Sequence, residues 1–103
     1  MWMQIIKGRL KDGKEAGFVG LMDKLMEIEQ PGSGLLGEVV TRSQNDPGVV
    51  YVLATFESEE AARAREADPR RQEGLAEVRK GLMDALDGPP EFIDLEVLAD
   101  HKP

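Results

Sequence analysis

The sequence predicts a single α+β domain, residues 1–103, with the order βαββαβ: a four-stranded antiparallel sheet with two helical regions on one face, the ferredoxin-like arrangement. Four short segments rich in β-branched residues are interspersed with two longer ones in which apolar residues recur every three or four positions. Residues 48–56 form the longest apolar run and have no polar side, which predicts a central strand covered on both faces. Residues 43–47 are too few for a crossover, so the second and third strands form an antiparallel hairpin.

The composition excludes several classes of protein. With 103 residues, 41% of them hydrophobic and 32% charged, the chain suits one globular domain. A net charge of -7 argues against binding to nucleic acid or to an anionic membrane, and no segment approaches the length of a membrane span. The absence of cysteine excludes disulfides, thiolate nucleophiles and cysteine metal sites. We expect a cytoplasmic protein.

The first strand is predicted at residues 2–10, followed by the first helix. Asp12 and Glu15 have the spacing of a capping box, which predicts that the helix starts there. The predicted buried stripe of this helix consists of Phe18, Leu21, Met22, Leu25, Met26 and Ile28. Proline and glycine within residues 30–34 end the helix, and residues 35–42 form the second strand.

The second helical region is predicted in two pieces. Ser58 is the expected N-cap of the first piece. Asp68 followed by Pro69 predicts a second helix start, because the residue before a proline resists the α conformation. The predicted buried stripe of the longer piece consists of Leu75, Val78, Leu82, Met83 and Leu86. Residues 87–90 end it, residues 91–99 form the last strand, and residues 100–103 should fray.

Two helical regions can cover only one face of the sheet. The other face would expose apolar side chains such as Val49, Tyr51, Leu53 and Leu35, or the residues of opposite parity on the same strands, and a patch of that kind rarely stays exposed on a soluble monomer. We therefore expect a homodimer through the open sheet face, with space for a small ligand between the two sheets.

The stretch from Val50 to Leu75 resembles a known family. It contains a strand that ends in an aromatic residue, the run Glu57-Ser58-Glu59-Glu60-Ala61, and Asp68-Pro69-Arg70-Arg71 before an apolar helix. These features are similar to those of the antibiotic biosynthesis monooxygenase-like group of dimeric α+β barrel proteins. The resemblance implies a homodimer with a pocket between sheet and helices in each subunit. It also implies relatives that oxidise quinol-like or polycyclic aromatic substrates with O2 and without metal or flavin.

The chain departs from this family at positions that matter for chemistry. Relatives usually carry Trp where this chain has Phe56, His where it has Arg65, and often Ser where it has Asp68. One branch of the family degrades haem, with that His as iron ligand and an Asn on the first strand. The corresponding residues here are Arg65 and Gln4. Because that His and that Asn are absent, we expect no haem in this chain. The resemblance to the relatives that use neither metal nor flavin implies no other metal or cofactor.

Gln4, Tyr51, Phe56 and Arg65 are the candidate residues of a ligand pocket. Tyr51, the only tyrosine, could orient a phenolic ligand or simply pack and make one hydrogen bond. Phe56, together with Trp2, could line a pocket for a flat substrate or pack in the core or an interface. Gln4 lies on an otherwise apolar strand face and donates to a ligand or to neighbouring backbone. Arg65 could clamp an anionic substrate or lie on a solvated helix face.

Asp94 and Glu96 share one face of the last strand. They could act as a general acid and base, or form ordinary ion pairs with Arg42 or Lys7 across the sheet. The arginines within residues 63–71 alternate with acidic residues, so they do not indicate a phosphate site. No metal cluster, phosphate-binding loop, dinucleotide fingerprint or Ser-His-Asp set is present in the sequence, and catalytic residues stay unassigned.

Three functions are compatible with these features. The first is a cofactor-independent monooxygenase-like protein that acts on or binds a small aromatic, quinol-like molecule, in which an apolar pocket excludes water from an aromatic anion and holds it for O2. The alternative is a non-catalytic small-ligand-binding or dimerisation module of the same fold. The third, a ligand-sensing or isomerase-like barrel, would need a base such as Asp94 in the pocket.

Overall fold

The structure, a computed structural model, describes all 103 residues and contains four strands, three α-helices and one short 3-10 turn. The strands are β1 (Trp2–Arg9), β2 (Leu35–Arg42), β3 (Val49–Phe56) and β4 (Glu91–Glu96). The helices are α1 (Glu15–Glu27), α2 (Glu59–Ala67) and α3 (Gln72–Ala85), and the 3-10 turn (Pro69–Arg71) joins α2 to α3. None of these helices is both long enough and apolar enough to cross a bilayer.

The four strands form one antiparallel sheet in the order β2-β3-β1-β4, which confirms the ferredoxin-like fold. Trp2 lies opposite both Phe56 and Glu96, and residues directly opposite each other share a face of the sheet. Gln4 and Ile6 therefore lie on the same face as the even-numbered residues of β3 and β4. The helices cover this face, and the main core consists of Leu10, Phe18, Met22, Val50, Val52, Val78 and Leu86.

No helix covers the opposite side of the sheet, which we call the open sheet face. By the strand registers, its side chains are those of Met3, Ile5, Lys7, Arg9, Val39, Thr41, Val49, Tyr51, Leu53, Thr55, Glu91, Ile93 and Leu95. Met1 lines a groove on the same face. Val39 is 59% exposed and Met1 is 47% exposed. The expectation of an uncovered apolar face is confirmed for the single chain, with Tyr51 and Leu53 on that face. It is wrong for Leu35, which lies opposite Phe56 on the helix-covered face, and Val49 is buried, at 7% exposure.

The predicted break in the second helical region is confirmed. Ser58 Oγ accepts a hydrogen bond from the Ala61 backbone N–H at 3.0 Å and caps α2. The Asp68 carboxylate accepts one from the Arg70 backbone N–H at 2.9 Å, with Pro69 at the first position of the 3-10 turn. The Arg70 guanidinium and this backbone bond lower the pKa of Asp68 to about 2. The capped turn redirects the chain into α3.

The predicted capping box of α1 is wrong. The N-cap is Lys14, whose side chain makes no capping hydrogen bond. Asp12 is followed by Gly13 at φ +78°, a left-handed conformation that turns the chain before the helix begins. Asp12 is therefore not at the N-cap position, where its carboxylate would accept hydrogen bonds from the first helical N–H groups.

Two methionines and the limits of two strands also differ from the predictions. Met26 and Met83 are 47% and 80% exposed, because they lie at the margins of their helical stripes and beyond the reach of the sheet. β4 ends at Glu96 instead of residue 99, because its partner strand β1 begins at Trp2, which pairs with Glu96. Beyond that pair, the Val97 N–H donates to Met1 O at 3.3 Å. β1 ends at Arg9, and residue 10 forms an isolated bridge.

Candidate functional site

An apolar groove lies between α3 and the helix-covered face of β4, and we call it the α3–β4 cleft. Its volume is about 570 Å³, within the range of small-molecule sites. The residues that line it are Arg79, Leu82, Met83, Leu86, Gly88, Pro89, Pro90 and Phe92. Only Arg79 among them is charged. The cleft is therefore suited to an apolar ligand that has at most a small polar part.

Local sequence explains how the cleft is built. Leu82 and Leu86 are four residues apart, so both project from the same side of the C-terminal end of α3. Gly88, at φ +95°, then allows a turn, and the two prolines that follow lead the chain to the start of β4. Phe92 lies opposite Ile6 of β1 on the helix-covered face and is 59% exposed. Helix, turn and strand thus form three walls around an open groove.

A smaller cavity of about 50 Å³ adjoins the cleft on its inner side. It shares Leu82, Leu86 and Pro90 with the cleft, and it is lined further by Ile6, Gly8, Phe18, Met22, Leu25, Val50 and Val52. Gly8 keeps this space open, because a Cβ at that position would lie 3.0 Å from Leu86 Cδ2. An apolar cavity has no partners for water, so it is a place for apolar ligand atoms.

A polar network lies on the same face of the sheet, outside the residues that line the cleft. Gln4 Nε2 donates to Asp94 Oδ1 at 2.9 Å, and Arg63 Nη2 donates to Asp94 Oδ2 at 3.0 Å. The Arg63 guanidinium also lies 5.2 Å from the centre of the Trp2 ring. Gln4 and Asp94 are two residues along their strands from Ile6 and Phe92. The Gln4 amide therefore donates to a side-chain carboxylate of β4, and the predicted bond to neighbouring backbone is wrong.

Asp94 is therefore a paired carboxylate rather than a free base. Its hydrogen bond from Gln4, aided by the Arg63 guanidinium, lowers the pKa of Asp94. A carboxylate with a lowered pKa is a weaker general base at neutral pH. The predicted ion pairs with Arg42 or Lys7 are wrong for Asp94, because Arg63 on α2 supplies the cation.

Arg65 is held by Glu29 and is not on a solvated helix face. Its Nε and Nη2 atoms donate to Glu29 Oε2 at 2.8 and 2.6 Å, and the two side chains are only 11% and 16% exposed. The guanidinium also lies 5.6 Å from the centre of the Phe56 ring. Burial alone would raise the pKa of Glu29, but the hydrogen bonds and charge of Arg65 hold it below its ordinary value. Arg65 already has its anion and is not free to clamp another.

Two more charged residues lie near Arg65: Arg71, which the sequence analysis placed among the arginines of residues 63–71, and Glu38, which it did not single out. Arg71 is 2% exposed; its Nη1 donates to the Arg65 carbonyl oxygen at 2.8 Å, and its Nε has no partner. Burial and then the charge of Arg65 lower the pKa of Arg71, while burial raises the pKa of Glu38. The available signal for Arg71 was its helical spacing, since it lies four and seven residues before the buried Leu75 and Val78.

The four predicted pocket residues do not form one pocket, although the Arg65 guanidinium lies 5.6 Å from the centre of the Phe56 ring. Gln4, Phe56 and Arg65 lie on the helix-covered face. The Trp2 ring lies between the Arg63 guanidinium, 5.2 Å from its centre, and the Phe56 ring, 5.8 Å away. Tyr51 lies on the open sheet face, with Lys7 Nζ 5.9 Å from the centre of its ring. None of the four lines the α3–β4 cleft. No group of three or more His, Cys, Asp or Glu side chains is arranged to hold a metal ion.

Comparisons with known proteins agree with this fold. The model of the antibiotic biosynthesis monooxygenase family matches residues 1–77, a range that ends before the cleft-lining residues of α3 and β4. An antibiotic biosynthesis monooxygenase-like protein from Chloroflexus aurantiacus is 24% identical, with 98% of this chain and 96% of that chain covered and a TM-score of 0.70. Rv0793 from Mycobacterium tuberculosis is 15% identical, with 98% of each chain covered and a TM-score of 0.76. A comparison with curated proteins gave no match.

Proposed function

Because the chain belongs to the antibiotic biosynthesis monooxygenase family, we propose that it binds a small aromatic, quinol-like molecule in the α3–β4 cleft and acts on it as a cofactor-independent monooxygenase. The observation that carries this proposal is an apolar cleft that shares the wall residues Leu82, Leu86 and Pro90 with an apolar inner cavity on the helix-covered face. Aromatic ligands gain most of their binding free energy from burial of their faces against such walls.

In this reaction the substrate supplies the electrons. The aromatic substrate, which reacts as its anion, gives all four electrons that reduce O2; one oxygen atom becomes a carbonyl oxygen of the ring, and the other leaves as water with two substrate hydrogens. The contribution of the protein is to position the ring and exclude bulk water, which raises the reactivity of the anion. Leu82, Leu86 and Phe92 supply the apolar contacts that position the ring in the cleft, and the bound ring displaces water from them.

A binding protein without catalysis is the second candidate, and the state of the polar residues favours it. Asp94 has a lowered pKa and two partners, and the Arg65 charge is balanced by Glu29. Neither side chain is thus ready to take a proton from a ligand or to stabilise a phenolate. In this alternative the cleft holds the same class of molecule and releases it unchanged.

Oxygen uptake separates these possibilities. With a dihydroxynaphthalene-type quinol, we expect O2 consumption faster than the autoxidation of the quinol. In Leu82→Trp the rate of O2 consumption should fall about tenfold, because the indole ring would fill the cleft. Met26→Trp, on the exposed part of α1, is the matched control and should keep the native rate. Binding of the quinol without uptake would support the binding protein. Absence of both uptake and binding would refute the proposed function.

We also infer a homodimer formed through the open sheet face, as the family implies. Val39, Met1 and Leu95 supply exposed apolar area on this face, around a groove of about 530 Å³ that includes Leu53. Burial of such an area stabilises the assembly by roughly 25 cal/mol per Å². Sedimentation velocity at micromolar concentration should therefore give a dimer for the native chain and a monomer for Leu53→Glu. Met83→Glu, on the exposed side of α3, should remain dimeric, and a native monomer would contradict the inference.

A further inference from the structure

The α3–β4 cleft has one charged wall residue, Arg79, at its mouth. Arg79 precedes Leu82 by three residues and Leu86 by seven, so the three side chains follow one stripe of α3. The long side chain of an arginine packs its methylene groups on apolar neighbours and keeps the guanidinium near water. The guanidinium therefore lies where the apolar groove meets solvent.

Most of the N–H donors of the Arg79 guanidinium are not used in bonds to carboxylates. Its one carboxylate contact is between Nη2 and Glu66 Oε1, at 3.4 Å, with the two side chains 56% and 65% exposed. Exposed ion pairs of this kind contribute little. Arg65, in contrast, makes a short, two-pronged contact with Glu29 in a mostly buried position. Of these two arginines, only Arg79 can exchange its partner for a ligand at low cost.

We propose that the cleft is specific for aromatic molecules that carry an anionic group, and that Arg79 binds this group at the mouth while the ring occupies the apolar groove. The inference rests on the proposed function, because it concerns the same cleft, and it adds the substrate class and the residue that selects it. Since the chain has a net charge of -7, an anionic ligand gains nothing from the overall field. Selection must then come from the local contact with the guanidinium fork, which matches a carboxylate or sulfonate well.

The test uses two fluorescent probes of similar ring structure. One is 1-anilino-8-naphthalenesulfonate, which is anionic, and the other is N-phenyl-1-naphthylamine, which is neutral. Their dissociation constants are measured for the native protein and for Arg79→Gln, Lys80→Gln and Leu82→Trp. Lys80→Gln is the matched control, because it removes one positive charge from the next position of α3, which does not line the cleft.

We expect the preference for the anionic probe, expressed as the ratio of the two dissociation constants, to fall about fivefold in Arg79→Gln and to stay unchanged in Lys80→Gln. An equal fall in both variants would mean that only net charge matters and would overturn the proposal. A ratio unchanged by Arg79→Gln would overturn it as well. In either case the proposed function survives if the neutral probe binds at one site per subunit and Leu82→Trp abolishes its binding. If the neutral probe does not bind to the native protein, the cleft is not an aromatic site and both proposals fail.

Discussion

Replacement of Arg65 by methionine should destabilise the protein by about 3 kcal/mol near pH 7. The variant leaves the Glu29 carboxylate, only 16% exposed, without the cation that holds it. Removal of one partner costs about 3 to 5 kcal/mol for a fully buried pair and less than about 1 kcal/mol for an exposed one. With exposures of 11% and 16%, this pair is close to the buried limit.

A double-mutant cycle isolates the interaction. Glu29→Gln alone should cost about 2 kcal/mol, because the amide keeps one acceptor but leaves Arg65 without a counter-charge. The double variant should cost about 3 kcal/mol instead of the additive value of about 5 kcal/mol, which gives a coupling free energy of about 2 kcal/mol. The exposed pair Lys14 and Asp84, at 43% and 74% exposure, is the control and should show a coupling below about 0.5 kcal/mol.

Urea unfolding at a fixed protein concentration measures these free energies. Trp2 is the only tryptophan and is 8% exposed, so its fluorescence reports loss of the core around Phe56. The pKa of Glu29 is lowered in the folded protein, so the pair stabilises the fold above the ordinary pKa of glutamate. This stability is lost as the pH falls through the lowered value. A coupling below about 0.5 kcal/mol near pH 7, equal to that of the control pair, would refute the reasoning.

Three further predictions concern single side chains. Asp68→Asn retains a helix-capping side chain but not the charge that pairs with Arg70. As the pH falls from about 4 to about 2, the free energy of unfolding, measured with urea, should therefore decrease less in this variant than in the native protein. Gly34→Ala should lower the free energy of unfolding by about 3 kcal/mol, because Gly34 has φ +85° and an added Cβ would lie 2.6 Å from Ala61 Cβ. Its control is Gly32→Ala, at φ +74° in open space, which should lower it by only about 1 kcal/mol. Burial raises the pKa of Glu38, so ionisation of this carboxyl costs folding free energy, and Glu38→Gln should raise the urea midpoint near pH 7 but not below about pH 4. A fall of the midpoint in Glu38→Gln near pH 7 would contradict the last prediction.

The parts of the fold that depend on local chemistry could be predicted from the sequence. The cap formed by Ser58 and the break at Asp68 and Pro69 follow from the conformations of a few adjacent residues, and the structure contains both. The hairpin of β2 and β3 follows from a connection too short for any other arrangement. Local rules failed at Asp12, where a glycine turn intervened between the expected cap and the helix.

The arrangement of charged residues could not be predicted in this way. Arg65 is buried because Glu29, 36 residues earlier in the chain, comes within hydrogen-bond distance of it, and nothing within its own helix specifies that contact. Amphipathic spacing predicted a buried Met83 but did not indicate how far the sheet extends beneath α3. The cleft arises from the offset between the end of α3 and the start of β4, which depends on the packing of the whole chain.

The α3–β4 cleft and the open sheet face lie on opposite sides of one sheet. In a pair of subunits joined through the open face, each cleft would point outward, with the full thickness of both sheets between them. Occupancy of one cleft would then leave the other unaffected, so saturation should be non-cooperative, with a Hill coefficient of about one. Apparent affinity should likewise stay the same when the protein is diluted below the point at which the subunits separate.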